Sequence, residues 1–134
     1  MRASGTFTVS EFTPVDLPAG DIETASGVGV ATMRKEFRGE VEGRSRTLFT
    51  AAFDQASGVG TYLAMESFAG CLHEAEGAFN FAHSATTLGG GRDGEYFAVV
   101  PGSGTAGLAG ITGTGSIVID EDGTHRVHLD YQLP

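Results

Sequence analysis

Apolar and polar residues alternate with a period of two over most of the chain, and that alternation predicts strands. Across residues 6–12, Phe7 and Val9 fall on one face and Thr6, Thr8 and Ser10 on the other. Across 28–38, Ala31, Met33 and Phe37 oppose Thr32, Arg34, Glu36 and Arg38, with Lys35 an odd charge on the apolar face. Across 41–53, Val41, Thr47, Phe49, Ala51 and Phe53 oppose Glu42, Arg44, Arg46 and Thr50. Such alternation marks half-buried strands. Further strands are predicted over 59–72, 77–87, 95–100, 116–119 and 124–133. Turn residues separate them: Pro14, Pro18 and Gly20; 54–58; the glycines of 89–94; and Asp120-Glu121-Asp122-Gly123.

About eight strands with short connections favour antiparallel neighbours. Eight antiparallel strands can close into an up-and-down barrel, which removes exposed edges. A two-sheet sandwich is the competing architecture, but strands of about ten residues or more favour a barrel. The expected fold class is therefore all-β: one closed antiparallel barrel over residues 1–134. A barrel of this size holds either packed side chains or one small ligand.

Gly102, Gly104 and Gly107 follow an apolar run with the G-x-G-x-x-G spacing of a dinucleotide-binding loop. That motif works only where a helix opens on the phosphate. Gly110, Gly113 and Gly115 follow closely, and each interior glycine costs a helix about 1 kcal/mol. A long turn is expected instead, with one short helical turn near 105–108 and at least one glycine at positive φ.

The 134 residues fit one domain that can bury a core without staples. The one cysteine, Cys71, cannot form an internal bridge and reads as a small buried hydrophobe. A net charge of −9, with glutamates between the few arginines, argues against nucleic acid and anionic membranes as partners. The start of the chain lacks the apolar core of a signal peptide, and no window approaches a transmembrane length. The expected location is the cytoplasm.

Several pieces resemble a known bacterial family, the domain of unknown function 3224. They are Gly5-Thr6-Phe7-Thr8-Val9, Phe37-Arg38-Gly39-Glu40-Val41-Glu42-Gly43, Glu66-Ser67-Phe68-Ala69-Gly70 with Gly77-Ala78-Phe79, and Phe81-Ala82-His83. Val100-Pro101-Gly102-Ser103-Gly104-Thr105, Leu108-Ala109-Gly110 and Leu129-Asp130-Tyr131 complete the set. The family is similar in fold to the allene oxide cyclase barrels, so the resemblance implies an eight-stranded barrel with a lumen and no settled activity. Many members carry tryptophan where this chain has Phe12, a difference that bears on pocket shape.

One hairpin offers the best candidate chemistry. Phe79, Phe81 and His83 share a face, which should point inward. On the preceding strand Tyr62, Ala64, Glu66 and Phe68 share one face, and Leu63, Met65, Ser67 and Ala69 the other. Hydrophobicity does not choose between these two faces. An even turn at His73 to Glu76 would set Glu66 opposite His83 and Phe68 opposite Phe81. An odd turn would set Met65 opposite His83. Two- and four-residue hairpins favour the even case. Glu66 and His83 are then the candidate catalytic pair, carboxylate orienting imidazole. A buried structural hydrogen bond is the alternative for the same pair. Phe49, Tyr62, Phe79 and Phe81 would wall the ligand site.

No metal site is expected. His125 and His128 point to opposite faces of a strand, and no Cys/His spacing matches zinc. There is no Gly-x-Ser-x-Gly nucleophile elbow, and no cofactor is implied. The expected function is that of a small soluble barrel binding an apolar or amphipathic small molecule in its lumen. The alternatives are a cofactor-free isomerase or cyclase in the same pocket, and a structural or assembly protein with a filled lumen. Homo-oligomerisation is left open.

Overall fold

The computed structural model describes residues 1–134. Eight strands run in chain order: β1 Arg2–Val15, β2 Val28–Gly39, β3 Val41–Asp54, β4 Val59–Leu72, β5 Ala75–Leu88, β6 Arg92–Val99, β7 Thr112–Ile119 and β8 His125–Gln132. Each is antiparallel to its neighbours, and β1 pairs with β8 to close the barrel. The sandwich is excluded. The helical content is one 3₁₀ turn, Ala106–Leu108, where the short helical turn was expected.

β1 and β7 exceed their predicted limits for physical reasons. β1 continues through Pro14 because a bulge between Ser10 and Thr13, with Glu11 at φ 52, lets pairing to β2 resume. Beyond Phe7 it pairs with β2 alone, an edge setting that proline tolerates. β7 begins at Thr112, ahead of the predicted start. Its glycines read as punctuation but serve close packing. A Cβ on Gly113 would lie 2.4 Å from the Asp130 carbonyl oxygen, and one on Gly115 3.0 Å from the Phe97 ring.

The two ends of the barrel differ. At one end an aromatic floor crosses the lumen, with Phe37 against Phe68 at 5.4 Å, Phe68 against Phe79 at 5.3 Å and Phe81 stacked on Phe97 at 4.6 Å between centroids. The glycine-rich connection between β6 and β7 seals this end from outside by burying Leu108 and Ile111 completely. Burying two such side chains contributes about 1.5–3 kcal/mol each. Gly102 and Gly110, at φ 79 and 78, give the connection its turns. Gly104 lets it fold on itself, since a Cβ there would lie 2.0 Å from the Leu108 carbonyl oxygen. The expected positive φ is present, and the segment is a plug that holds no helix to face a phosphate.

The opposite end is open. It carries residues 16–27 between β1 and β2 and the turns after β3, β5 and β7. The weakest part of the wall is the β6–β7 seam, where one residue pair, Ala98 with Thr114, remains in register.

Cys71 is part-exposed, not buried. It alternates with fully buried Leu72 and so faces outward.

Candidate functional site

The hairpin of β4 and β5 turns through two residues, His73 and Glu74, since Leu72 pairs with Ala75. His73 takes the left-handed conformation, φ 53, that this tight turn needs. The turn is even, so the expected faces point inward: Glu66 is 0% exposed and His83 4%. The register is two residues off the expected one. Glu66 stands opposite Phe81, Phe68 opposite Phe79, and His83 opposite Ala64. The direct Glu66–His83 pair is therefore not made. Each belongs to a separate polar cluster.

Glu66 serves the first. Its Oε1 accepts from Lys35 Nζ at 2.8 Å, and its Oε2 from Ser45 Oγ at 2.5 Å. Lys35 also lies over the Phe7 ring, 4.9 Å from its centroid. This accounts for the odd charge on the apolar face of β2. Lys35 points into the barrel, and its ammonium is compensated by a carboxylate and an aromatic face. Beside it, Thr47 is 1% exposed and its Oγ1 has no hydrogen-bond partner in the protein.

His83 serves the second. Its Nε2 lies 2.8 Å from Glu95 Oε2, and its Nδ1 makes a long contact, 3.4 Å, to the Tyr62 hydroxyl. Burial pushes the imidazole below its ordinary pKa, with Glu95 opposing. The ring is then neutral at pH 7. A carboxylate only accepts, so the proton sits on Nε2 and Nδ1 accepts from Tyr62. Tyr62 accepts in turn from Arg92 Nη1 at 3.0 Å. Burial pushes the Tyr62 phenol up, with Arg92 opposing, so it too is neutral. Donors thus point one way, from Arg92 to Tyr62 to His83 to Glu95.

Arg92 and Glu95 also mend the seam. Arg92 Nη2 donates to the Ile117 carbonyl, and the Ile117 amide donates to Glu95 Oε2 at 3.0 Å. Side chains here replace ladder bonds that β6 and β7 do not make. Residues three apart on a regular strand face opposite ways. A bulge shifts the β5–β6 register between Ser84 and Thr86, and Gly94 at φ 64 absorbs the extra residue, so both side chains reach the same partner. The sequence reading missed both residues. It assigned Arg92 to a loop and began the strand at Glu95. The available signal was Gly94 beside a strand, a mark of a bulge.

The lumen is filled at one end and open at the other. An inner cavity of about 260 Å³ is lined by Lys35, Thr47, Phe49, Tyr62, His83 and Arg92, among others. A wider mouth of about 500 Å³, with Phe12, Phe53 and Gln55 on its walls, shares Phe49, Tyr62 and Thr87 with it. Phe49 and Tyr62 stack at 5.3 Å and wall both spaces. Phe79 and Phe81 do not. They are 2% and 3% exposed within the aromatic floor. Phe12 stands at the mouth, 57% exposed, edge-on to Phe49 at 6.3 Å. No group of three or more metal-ligating side chains is assembled. No helix is long and apolar enough to cross a membrane.

Fold and interior together define a closed eight-stranded antiparallel barrel with a half-filled lumen and two polar clusters on its inner wall. The chain belongs to the family described as protein of unknown function, DUF3224, whose model matches residues 3–131. A protein with unknown function from that family, from Shewanella oneidensis MR-1, has a similar crystal structure at 1.84 Å resolution. The TM-score is 0.86 at 28% identity, covering 100% of this chain and 97% of that one. No curated protein matches the sequence. Neither match bears on the likeness to allene oxide cyclase barrels.

Proposed function

We propose that the barrel binds a small apolar or amphipathic molecule in its lumen, entering at the open end. The observation that carries this is the pair of spaces sharing Phe49, Tyr62 and Thr87 as walls, an apolar mouth above a cavity with buried polar groups. Ligand sites have this character: mostly apolar surface with a few fixed polar groups. A barrel serving only as a scaffold has no need of an open end, and polar groups buried in it would lower its stability.

The test is binding of Nile red, a neutral apolar dye, followed by fluorescence, with mass spectrometry of small molecules retained by the purified protein. Saturable one-to-one binding is expected, and Ala64→Phe, which fills the inner cavity, should abolish it while the barrel stays folded by circular dichroism. Absence of saturable binding, or binding unchanged in Ala64→Phe, would count for the structural reading.

Cofactor-free isomerisation or cyclisation in the same pocket is a second reading, favoured by the directed chain from Arg92 through Tyr62 and His83 to Glu95. Both His83 nitrogens are engaged, so the group with a lone pair left for a bound molecule is the Tyr62 hydroxyl. In this reading the Tyr62 oxygen takes a proton from the reacting atom on that lone pair as it passes its own to His83 Nδ1, and the reverse transfers return a proton to the product. Both oxygens of Glu66 are held by Lys35 and Ser45, so the part for Glu66 is to hold Lys35.

A further inference from the structure

We infer that the ligand of this lumen carries a neutral carbonyl oxygen, received between the Thr47 hydroxyl and the Lys35 ammonium. This rests on the lumen being a binding site and adds what it selects.

Three observations lead there. First, Thr47 lines the inner cavity, is 1% exposed, and holds a hydroxyl that no protein group satisfies. Buried hydroxyls are satisfied as a rule, and one left without a protein partner belongs to water or a ligand. Second, Lys35 lines the same cavity. Lys35 pairs with Ser45 and Met33 with Thr47 across β2 and β3, so Lys35 and Thr47 are diagonal neighbours on the inner face. An ammonium has three donors, and the protein engages one of them, with Glu66 Oε1. The free groups here are thus chiefly donors, and a carbonyl oxygen with two lone pairs accepts from both. Glu66 does not line the cavity, so a ligand hydroxyl would lack a carboxylate for its proton.

Third, the formal charges cancel. Lys35 faces Glu66 at 2.8 Å, and Arg92 lies 3.7 Å from Glu95. A carboxylate ligand would add an uncompensated charge to a space whose ion pairs are already balanced, and an unpaired buried charge is costly. The oxygen should therefore be neutral, with its apolar chain running past Phe49 and Tyr62 toward the mouth.

The experiment compares undecane, its methyl ketone, undecanol and undecanoate as competitors of Nile red, at about pH 8, where an ordinary histidine is neutral. The ketone should displace the dye about tenfold better than the alkane, the effect of one buried hydrogen bond. Thr47→Val should weaken that preference, and Thr47→Ser, which keeps the hydroxyl, should restore it. Equal binding of ketone and alkane, a preference undiminished by Thr47→Val, or tighter binding of undecanol or undecanoate would each overturn the carbonyl assignment. If Nile red itself does not bind, the lumen-binding reading fails. If it binds but the ketone has no advantage, only the present inference fails.

Discussion

Replacing Lys35 by methionine should be among the most damaging single changes in this barrel, and replacing its partner as well should recover much of the loss. Lys35 is 8% exposed and Glu66 0%, with 2.8 Å between Nζ and Oε1. Methionine fills similar space but leaves the Glu66 carboxylate with Ser45 alone. Stranding one member of a buried ion pair costs about 3–5 kcal/mol. For 134 residues, an unfolding entropy of about 2.1 cal/mol/K per residue makes each kcal/mol worth roughly 3.5 °C in midpoint. Lys35→Met should therefore melt about 10–18 °C below the parent. The double variant Lys35→Met/Glu66→Gln removes both charges and keeps an acceptor for Ser45. Neutral replacements of buried pairs are often nearly without cost, so it should lie within about 2 kcal/mol of the parent. A double-mutant cycle on urea and thermal unfolding would then give a coupling of about 3 kcal/mol or more. If Lys35→Met lies within about 1 kcal/mol of the parent, or the double variant loses the sum of the singles, the pair does not hold the interior as argued.

Thr47→Val should raise the melting point of the free protein by about 3.5 °C, because it removes a buried hydroxyl whose cost is about 1 kcal/mol or more; calorimetry checks it. Gly104→Ala should destabilise by about 2–3 kcal/mol, since its Cβ would meet the Leu108 carbonyl oxygen at 2.0 Å, whereas Gly90→Ala, with nothing within 4 Å, should be neutral or slightly stabilising in urea titrations. Phe81→Ala, in the floor, should cost about 3–5 kcal/mol and leave Nile red affinity nearly intact in the folded fraction, while Phe49→Ala should do the reverse. Stability should fall with acid through the histidine range. The unfolded His83 takes its proton near 6.5, and the folded one, buried against Tyr62 and facing Lys35 and Arg92, only at lower pH despite Glu95. Between those values the unfolded chain binds more protons, so stability rises with pH, and His83→Gln should flatten the slope in unfolding series at stepped pH.

The strand count, the antiparallel order and closure were legible because five of the seven connections are short and the inward faces alternate cleanly on β2 and β5. β4 was ambiguous because its outward face is apolar as well. Leu63 and Met65 stand 60% and 49% exposed, so period two was present without a sign. The site was half legible for a related reason. Parity depends on whether a turn is even, which common hairpin lengths suggest. Register depends on its actual length, and two residues in place of four moved His83 from Glu66 to Ala64. Glu95 and Arg92 reach the lumen through a bulge, which period-two reading cannot cross. Lys35 was visible as an exception, and its partner lay on a strand that is not adjacent in the sheet.

Where the buried polar groups stand follows from how the barrel is built. The floor is all carbon, sealed by Leu108 and Ile111, and nothing there needs a partner. Ionisable groups cluster halfway up, where the strands diverge from that packing and the lumen opens. One cluster has an evident structural duty, since Arg92 and Glu95 supply the bonds that β6 and β7 lack at Ile117. The other does not. Lys35, Ser45 and Glu66 lie on β2, β3 and β4, which are already joined by continuous ladders. An apolar trio of similar volume would hold those strands at least as well. A pair that its strands do not need, with spare donors beside an unsatisfied hydroxyl, is better explained by what it faces than by what it holds. That asymmetry directs the functional argument to Lys35 and Thr47, and leaves His83 to be tested for catalysis only after the seam it supports has been shown to survive its replacement.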